Sequence, residues 1–499
     1  LRLAAVAAAL LYVYAPYHLL DVYVRGALNE SLLFLWLPWL FLAFDRLLLQ
    51  GSAPGWQKRL ALAMLLLGAT WLTHSFAVLA VTPLVMFFVL FRLGWLWAIE
   101  RKRETHAGRA LLQRTALAAA AGIGGLLLSA VFLVPLLAEQ HFLDQQVFTS
   151  NTYDFRNHFV QWGQYFSPFW GYGYSDDPLG ANDGMGFQIG ALALILGAAG
   201  LFLLRKAPQR ALMIFLALAS LGVMVVMAPA SKPLWEAIPT LAVIQFPWRL
   251  LLLASFTVCA LAGLSLVQLL ALRPLQEDGS GVLVFALLAI VGTAAYADPP
   301  LQPVEPWRED GRAVYRFEVE HPDMITYTAW TKQPFKKSPM SVDYENPAYS
   351  EVHGRTESLT RFMILEGEGS VLRQESAGSR FTGVVNMQTP GVVRANLMYF
   401  PGWQGTIDGA PVALRVSNPE GLVELDVPAG AHTIEVRMGA TPARTLGTVV
   451  SWTMLAVVAL LLLWPARRPR RDAPKFGNGA SIVNGNKYWN VETTEKQRK

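Results

Sequence analysis

The chain has 499 residues, of which 53% are hydrophobic and 15% charged, and its formal net charge at pH 7 is +5. Soluble domains carry about 25% charged residues. Because the apolar residues also come in blocks, the composition predicts a polytopic membrane protein. A single cysteine, Cys259, excludes a disulfide framework and a CxxC zinc site. The basic residues cluster at the ends of apolar runs and form no nucleic-acid-binding motif, so we expect no nucleic-acid partner.

Ten apolar segments of membrane length, or nearly so, follow one another along the chain. They cover residues 1–14, 32–48, 59–74, 77–98, 113–137, 186–204, 210–229, 248–271, 281–297 and 445–464. A bilayer core requires about twenty residues per helix. The first segment is short and begins without a methionine or a basic flank, so we expect the sequence to be truncated at its N-terminus; a signal peptide is the alternative.

The distribution of lysine and arginine predicts the orientation. Loops that must share one side of the membrane carry twelve of them, whereas the short loops on the other side carry four. The more basic side is the cytoplasmic one. The basic stretch 465–471 falls on that side too. We therefore expect a bacterial inner-membrane protein whose exoplasmic regions are residues 15–31, 139–185, 230–249 and 298–444.

The predicted domains follow from these segments. Residues 1–297 form a transmembrane bundle, and residues 445–465 form a final transmembrane helix. Between them, residues 298–444 alternate apolar and polar side chains in segments such as RAVYRFEVE, SRFTGVVNMQ and HTIEVRM, separated by turns such as Asp408-Gly409. This pattern predicts an exoplasmic antiparallel β-sandwich. Residues 466–499 have little periodicity, which predicts a disordered cytoplasmic tail.

The opening stretch is the first place where the chain could hold a polar ligand. At helical spacing from Pro16, the side chains of His18, Asp21 and Arg25 fall on one face. Because apolar runs flank this short amphipathic segment, we expect it to lie in the membrane interface with its polar face toward water.

Three motifs resemble a known family. APYHLLDVYVRGALNE at 15–30, QFPWR at 245–249, and YFPGW at 399–403 followed by the Asp408-Gly409 turn are similar to bacterial membrane proteins labelled 6-pyruvoyl-tetrahydropterin synthase-related. These are relatives of the YfhO-type proteins in the GT-C superfamily of glycosyltransferases. The resemblance implies a GT-C-like fold and a polyprenyl-phosphate-linked sugar donor used at the exoplasmic face, with a glycan or a protein as acceptor. It also implies a catalytic acidic residue in a loop ahead of Leu1, so that residue remains unknown from this chain.

Sugar transfer from a polyprenyl phosphate requires cationic stabilisation of the departing phosphate. The candidates for binding it are His18, Arg25 and Arg249, with Asp21 orienting them. Asp21 and Arg25 have two interpretations. Asp21 orients Arg25 toward the donor phosphate, or the two form an ordinary exposed ion pair, as residues four apart on a helix do. Arg249 follows Pro247 and Trp248 at an interfacial helix start, where it could bind a phosphate or reach lipid headgroups.

The long loop 139–185 carries further candidates. Its aromatic residues could stack on sugar rings or form an interfacial belt. Trp162, Tyr165, Trp170 and Tyr172 are the stacking candidates. Asp176, Asp177 and Asp183 are weak metal candidates, because their spacing matches no calcium loop. No cofactor is firmly implied, although a divalent metal is compatible with these carboxylates.

Sugar transfer is therefore the first functional hypothesis. A lipid or glycan transporter or flippase is the second, and the scarcity of ionisable residues in most apolar segments argues against it. A non-catalytic protein of envelope assembly is the third.

Overall fold

The computed structural model describes residues 2–102, 106–149, 151–204, 207–270, 280–298, 303, 311–322, 325–333, 341–345 and 360–465. The predicted disordered tail at 466–499 lies outside the described residues. The helices before the long loop are α1 Arg2–Val13, α2 Pro16–Tyr23, α3 Leu28–Ser31, α4 Leu33–Gln50, α5 Trp56–Thr73, α6 Ser75–Glu100, α7 Ala107–Leu128 and α8 Ala130–Glu139. Those after it are α9 Ala191–Leu203, α10 Arg210–Met227, α11 Lys232–Ala237, α12 Pro239–Ala242, α13 Leu251–Leu270, α14 Ser280–Val291, α15 Gly311–Glu320, α16 Ser341–Tyr344 and α17 Pro442–Leu463.

Six helices in the described part of the chain are long and apolar enough to cross a membrane, or seven if the bent pair α1 and α2 is counted as one. They are Leu28–Gln50, Ser75–Glu100, Ala107–Leu128, Arg210–Met227, Pro247–Leu270 and Pro442–Leu463. Each of the ten predicted apolar segments contains a helix. Several are shorter than predicted: α9 has 13 residues and α14 has 12, which at 1.5 Å per residue is less than the roughly 30 Å of a hydrocarbon core.

The bundle is built around α13, which packs against α9, α10, α1 and α4. Most of its side chains are buried, including Leu251, Ala254 and Leu266. A second contact joins α5 to α7 through glycines. A Cβ on Gly124 would lie 2.5 Å from the Met64 side chain, so the missing side chain lets the two helices approach closely.

The β region forms two antiparallel sheets. Its strands are β1 Phe362–Glu366, β2 Gly369–Ala377, β3 Arg380–Met387, β4 Gly391–Met398, β5 Trp403–Ile407, β6 Ala410–Val412, β7 Arg415–Val416, β8 Leu422–Val427 and β9 Gly430–Met438. One sheet has the order β1-β4-β8-β7 and the other β2-β3-β9-β5-β6. Alternate side chains of both sheets, such as Val385, Val393, Leu425 and Ile434, form a shared apolar core. The predicted antiparallel β region is therefore confirmed from Phe362 onward.

The strand prediction for RAVYRFEVE is wrong, because this segment lies in helix α15. A run of nine residues fits both the period of a strand and that of a helix. Contacts typical of a helix decide between them here: the rings of Phe317 and His321, four residues apart, are 4.9 Å from each other. Tyr315 also stacks on Tyr344 of α16, with ring centroids 5.7 Å apart.

Candidate functional site

Three chain segments meet where apolar helices end. Helix α2 follows α1 with a bend of 42°, and Pro16 occupies its first turn, where a missing N–H costs nothing. After α2 the chain turns at Gly26, whose φ of +60° favours glycine, and continues through α3 into α4. The 3-10 turn Pro247–Leu250 opens α13 against α2, as the proline in QFPWR predicts.

The polar side chains of these segments form one group, which we call the ion cluster: Tyr17, Asp21, Arg25, Glu30 and Arg249. Arg25 contacts Asp21 and donates through Nη2 to Oε2 of Glu30 at 3.0 Å. The Tyr17 hydroxyl donates to Oε1 of Glu30 at 2.7 Å. Nε of Arg249 lies 3.5 Å from Oε2 of Glu30. The predicted contact between Asp21 and Arg25 is confirmed, and Glu30 joins both arginines.

Each of the two guanidinium groups lies over an aromatic ring. The Arg25 guanidinium lies 4.5 Å from the ring centre of Trp248, and that of Arg249 lies 4.9 Å from the ring centre of Phe246. Nη1 of Arg249 also donates to the carbonyl of Ile244 at 3.2 Å. Rings and carbonyl together fix both cations and exclude water from their faces.

The prediction that the polar face of α2 points toward water is wrong for the ion cluster. Asp21 and Glu30 are 0% and 1% exposed, and the side chains of Arg25 and Arg249 are 13% and 17% exposed. The start of α13 covers this face, which no local pattern in residues 15–31 reveals. Two carboxylates and two guanidinium groups give the ion cluster a formal charge of zero, so the charges compensate each other in this buried position.

Glu30 and Tyr17 are the members of the ion cluster that the sequence did not single out, and Glu30 is the one that binds both arginines. It is five residues from Arg25, which is not a same-face helical spacing, and Gly26 breaks the helix between them. The sequence contains one signal that could have identified Glu30, which is its position directly before the apolar segment 32–48. A carboxylate so close to a membrane-spanning segment is costly unless it is paired with a cation.

Three buried polar atoms in and beside the ion cluster have no hydrogen-bond partner among the described residues. They are Oδ2 of Asp21, Nε of Arg249 and Nε1 of Trp248. A buried polar atom that lacks a partner costs free energy. The site therefore has two donors and one acceptor that a polar ligand or water could satisfy.

The two histidines nearest this site differ in position. His18 does not join the ion cluster: its Nδ1 lies 2.9 Å from the Val13 carbonyl, and its ring stacks on Phe34 at 4.2 Å. His74 lies in the electrostatic field of Glu30 and both arginines. Its Nδ1 accepts from the Phe76 N–H at 3.0 Å, so it also caps α6.

The four aromatic stacking candidates of the long loop have different surroundings. Tyr165 is fully buried and donates to the Met224 carbonyl at 2.8 Å, so its ring is covered by protein. Trp170 is half-buried and stacks on Tyr296, with ring centres 4.4 Å apart. Trp162 and Tyr172 are 46% and 43% exposed. Trp162 and Tyr172 are thus the more exposed of the four candidates.

The aspartates of this loop hold the loop itself together. Oδ1 of Asp183 accepts the backbone N–H groups of Asp176 and Asp177 at 3.2 Å and 3.0 Å, and its burial raises the pKa of Asp183. Backbone N–H groups of Asn182 and Leu179 lower the pKa of Asp177. Within the described ranges, no three His, Cys, Asp or Glu side chains are placed to hold a metal ion.

The comparisons with known proteins add no family to this geometry. The chain matches no protein-family model, and no curated protein matches it.

Proposed function

We propose that this protein is a membrane glycosyltransferase that moves a sugar from a polyprenyl-phosphate donor to an acceptor. The observation that carries the proposal is the ion cluster, in which two guanidinium groups lie beside a buried carboxylate at the ends of apolar helices. Nε of Arg249, which is ion-paired with Glu30, and Nε1 of Trp248 make no hydrogen bond to the described residues. A lipid phosphate reaches such a position from the bilayer while its polyprenyl chain stays among the apolar helices.

In the proposed reaction a hydroxyl oxygen of the acceptor attacks C1 of the donor sugar. The bond between C1 and the phosphate oxygen breaks, and the polyprenyl phosphate leaves with the electron pair. Arg249 and Arg25 stabilise the negative charge on that phosphate, while Glu30 and Asp21 orient the two guanidinium groups. The hydroxyl proton passes to a carboxylate base.

The proposal includes a topology. All ten apolar segments cross the inner membrane of a bacterium, and the ion cluster and β region lie on the exoplasmic side. The excess of lysine and arginine in the opposite loops supports this orientation. The ion pairs Arg92–Asp45 and Arg114–Glu100 lie in the halves of α4, α6 and α7 that are nearer to those basic loops.

The test is a transfer assay in membranes that contain the full-length protein. Polyprenyl-phosphate mannose, glucose, galactose and N-acetylglucosamine, each with a radiolabelled sugar, are supplied in turn. We expect the label from one donor to appear in a glycan or protein fraction. Arg249→Ala should lower the rate by about 10²–10³-fold, as for other donors to a developing anion. Arg249→Lys should restore part of it, because lysine supplies charge without the planar fork.

Arg156→Ala is the matched control, since Arg156 is a half-exposed arginine of the long loop that pairs with Glu236. Its rate should equal that of the unaltered protein, and thermal unfolding establishes that each variant is folded. Folded Arg249 variants with undiminished transfer would remove the ion cluster from the reaction. If no donor loses its sugar to the unaltered protein, the transferase proposal fails.

A further inference from the structure

A cavity of about 460 Å³ lies in the long loop. Its lining comes from three stretches of the loop, which are residues 164–169, 180–183 and 185–187. Two antiparallel segments beside this lining pair at Tyr172 and Met185. The N–H of Gly173 donates to the carbonyl of Gly184 at 2.9 Å, and the N–H of Gly184 donates to that of Tyr174 at 2.9 Å. A Cβ on Gly184 would lie 2.7 Å from Cα of Gly173, so glycine is required for this close approach.

The cavity has aromatic walls. The Phe169 side chain is 50% exposed, whereas Phe187 is buried behind it. The Phe187 ring lies 6.0 Å from that of Trp248, the residue on which the Arg25 guanidinium stacks. The rings of Phe187 and Trp248 therefore connect the cavity lining to the ion cluster.

The polar part of the lining combines fixed and free groups. Nε2 of Gln164 donates to Oδ2 of Asp183 at 3.0 Å, which fixes both side chains. The side-chain amide of Asn182 makes no hydrogen bond to the described residues, and Asn182 is exposed. The Ser167 hydroxyl accepts from the N–H of Phe169 at 3.2 Å and keeps its own proton to donate. An amide and a hydroxyl beside an exposed ring match the alternating polar edge and apolar face of a sugar.

The charge of the lining restricts the ligand further. Asp183 is the charged residue among the side chains that line the cavity, and no lysine, arginine or histidine lines it. A carboxylate without a neighbouring cation disfavours uronic acids and phosphorylated sugars. The volume falls within the range of about 300–1,000 Å³ for small-molecule sites.

We infer that this cavity binds a neutral pyranose sugar, with the apolar face of the ring on Phe169 and its hydroxyl groups on Asn182 and Ser167. The inference rests on the proposed function only in identifying this sugar as part of the substrate. Binding itself requires neither a lipid donor nor turnover. Its chemistry differs from that of the ion cluster, which would take the phosphate.

The test uses the full-length protein in lipid nanodiscs without donor. Saturation-transfer difference NMR is recorded with the methyl glycosides of glucose, galactose, mannose and N-acetylglucosamine, and with glucuronic acid as the anionic comparison. We expect saturation of at least one neutral glycoside and none of glucuronic acid. Phe169→Ala should weaken binding about tenfold through loss of the ring. Phe169→Trp should preserve binding, and Asn182→Ala should weaken it about fivefold.

Phe166→Ala is the matched control, because Phe166 belongs to the same loop and is 65% exposed but does not line the cavity. Binding unchanged in both Phe169→Ala and Asn182→Ala, or equal saturation of glucuronic acid, overturns the inference. If none of the four neutral glycosides receives saturation from the protein, the inference is overturned as well. Such a result leaves the transfer assay unaffected, whereas sugar binding without transfer would support the cavity and count against the transferase.

Discussion

Arg444, in the first turn of α17, donates from Nε and Nη2 to one carboxylate oxygen of Glu139 at the end of α8, at 3.1 Å and 2.9 Å. The Thr441 hydroxyl contacts the other oxygen of this carboxylate. Arg444 also lies beside the β region, with its guanidinium carbon 5.5 Å from the ring centre of Phe400. This contact joins the helical bundle to the β region at the point where the chain passes between them.

Breaking this pair should destabilise the protein. Glu139→Gln removes the charge that holds Arg444 in place, and we expect the free energy of unfolding to fall by about 1–3 kcal/mol. Denaturant unfolding in detergent measures it. Arg415→Ala is the control, because Arg415 and Asp426 form an exposed pair, with side chains 51% and 68% exposed, and its effect should be below about 0.5 kcal/mol. Equal effects of the two substitutions would show that the Glu139 contact is not special.

The hydroxyl of Tyr17 should contribute to the ion cluster. Tyr17→Phe removes the hydrogen bond to Glu30. It also removes one of the two acceptors of Arg25 Nη1, which lies 3.1 Å from that hydroxyl and also contacts Asp21. We expect a loss of about 1–3 kcal/mol in the free energy of unfolding, because buried charged groups lose partners. Tyr23→Phe changes a tyrosine that is 41% exposed on the same helix and should be nearly neutral. A neutral Tyr17→Phe would mean that water replaces the lost hydroxyl.

The orientation in the membrane can be tested with single cysteines. Cys259 is buried, so an impermeant maleimide should report only introduced thiols. Ser376→Cys, on an exposed position of β2, should react in intact cells. Ser52→Cys, exposed between α4 and α5, should react only after the membrane is permeabilised. The opposite pattern would invert the topology and place the ion cluster on the cytoplasmic side.

The pair His432–Asp408 should give the β region a defined pH dependence. Nδ1 of His432 lies 2.7 Å from Oδ2 of Asp408, and this hydrogen bond raises the pKa of His432 and lowers the pKa of Asp408. The stabilisation that comes from protonated His432 is complete below the ordinary histidine pKa of about 6.5, and it is lost as the pH rises through the raised pKa of His432. In acid it fades as the pH falls through the lowered pKa of Asp408.

NMR titration of the histidine rings in the full chain measures this effect. Asp408→Asn should return the pKa of His432 toward its ordinary value. Asparagine tolerates the φ of +52° at this position, so the turn should persist. A His432 pKa that is the same in the variant and the unaltered protein would contradict the assignment.

Local pattern predicted those parts of the structure that depend on neighbours in the sequence. Apolar block length placed a helix in each predicted segment, and four-residue spacing paired Asp21 with Arg25. Alternation predicted strands such as β3 and β9, because alternate side chains of these strands pack into the apolar core between the two sheets. The same alternation failed at Tyr315, where a short run fits either period and the contact with Tyr344 is not visible in the local sequence.

The sequence by itself determined that this is a membrane protein with a separate β region. Long apolar blocks and alternating apolar residues each extend over many positions, so they report which side chains are buried without knowledge of the tertiary contacts. Only the tertiary structure decided that Glu30 binds both Arg25 and Arg249, and that Asp21 is buried instead of facing water. The physical reason is that Arg249 is more than 200 residues from Glu30 in the sequence and reaches it only because the start of α13 packs against α2. Their energy depends on which helix covers α2, and helix packing fixes that.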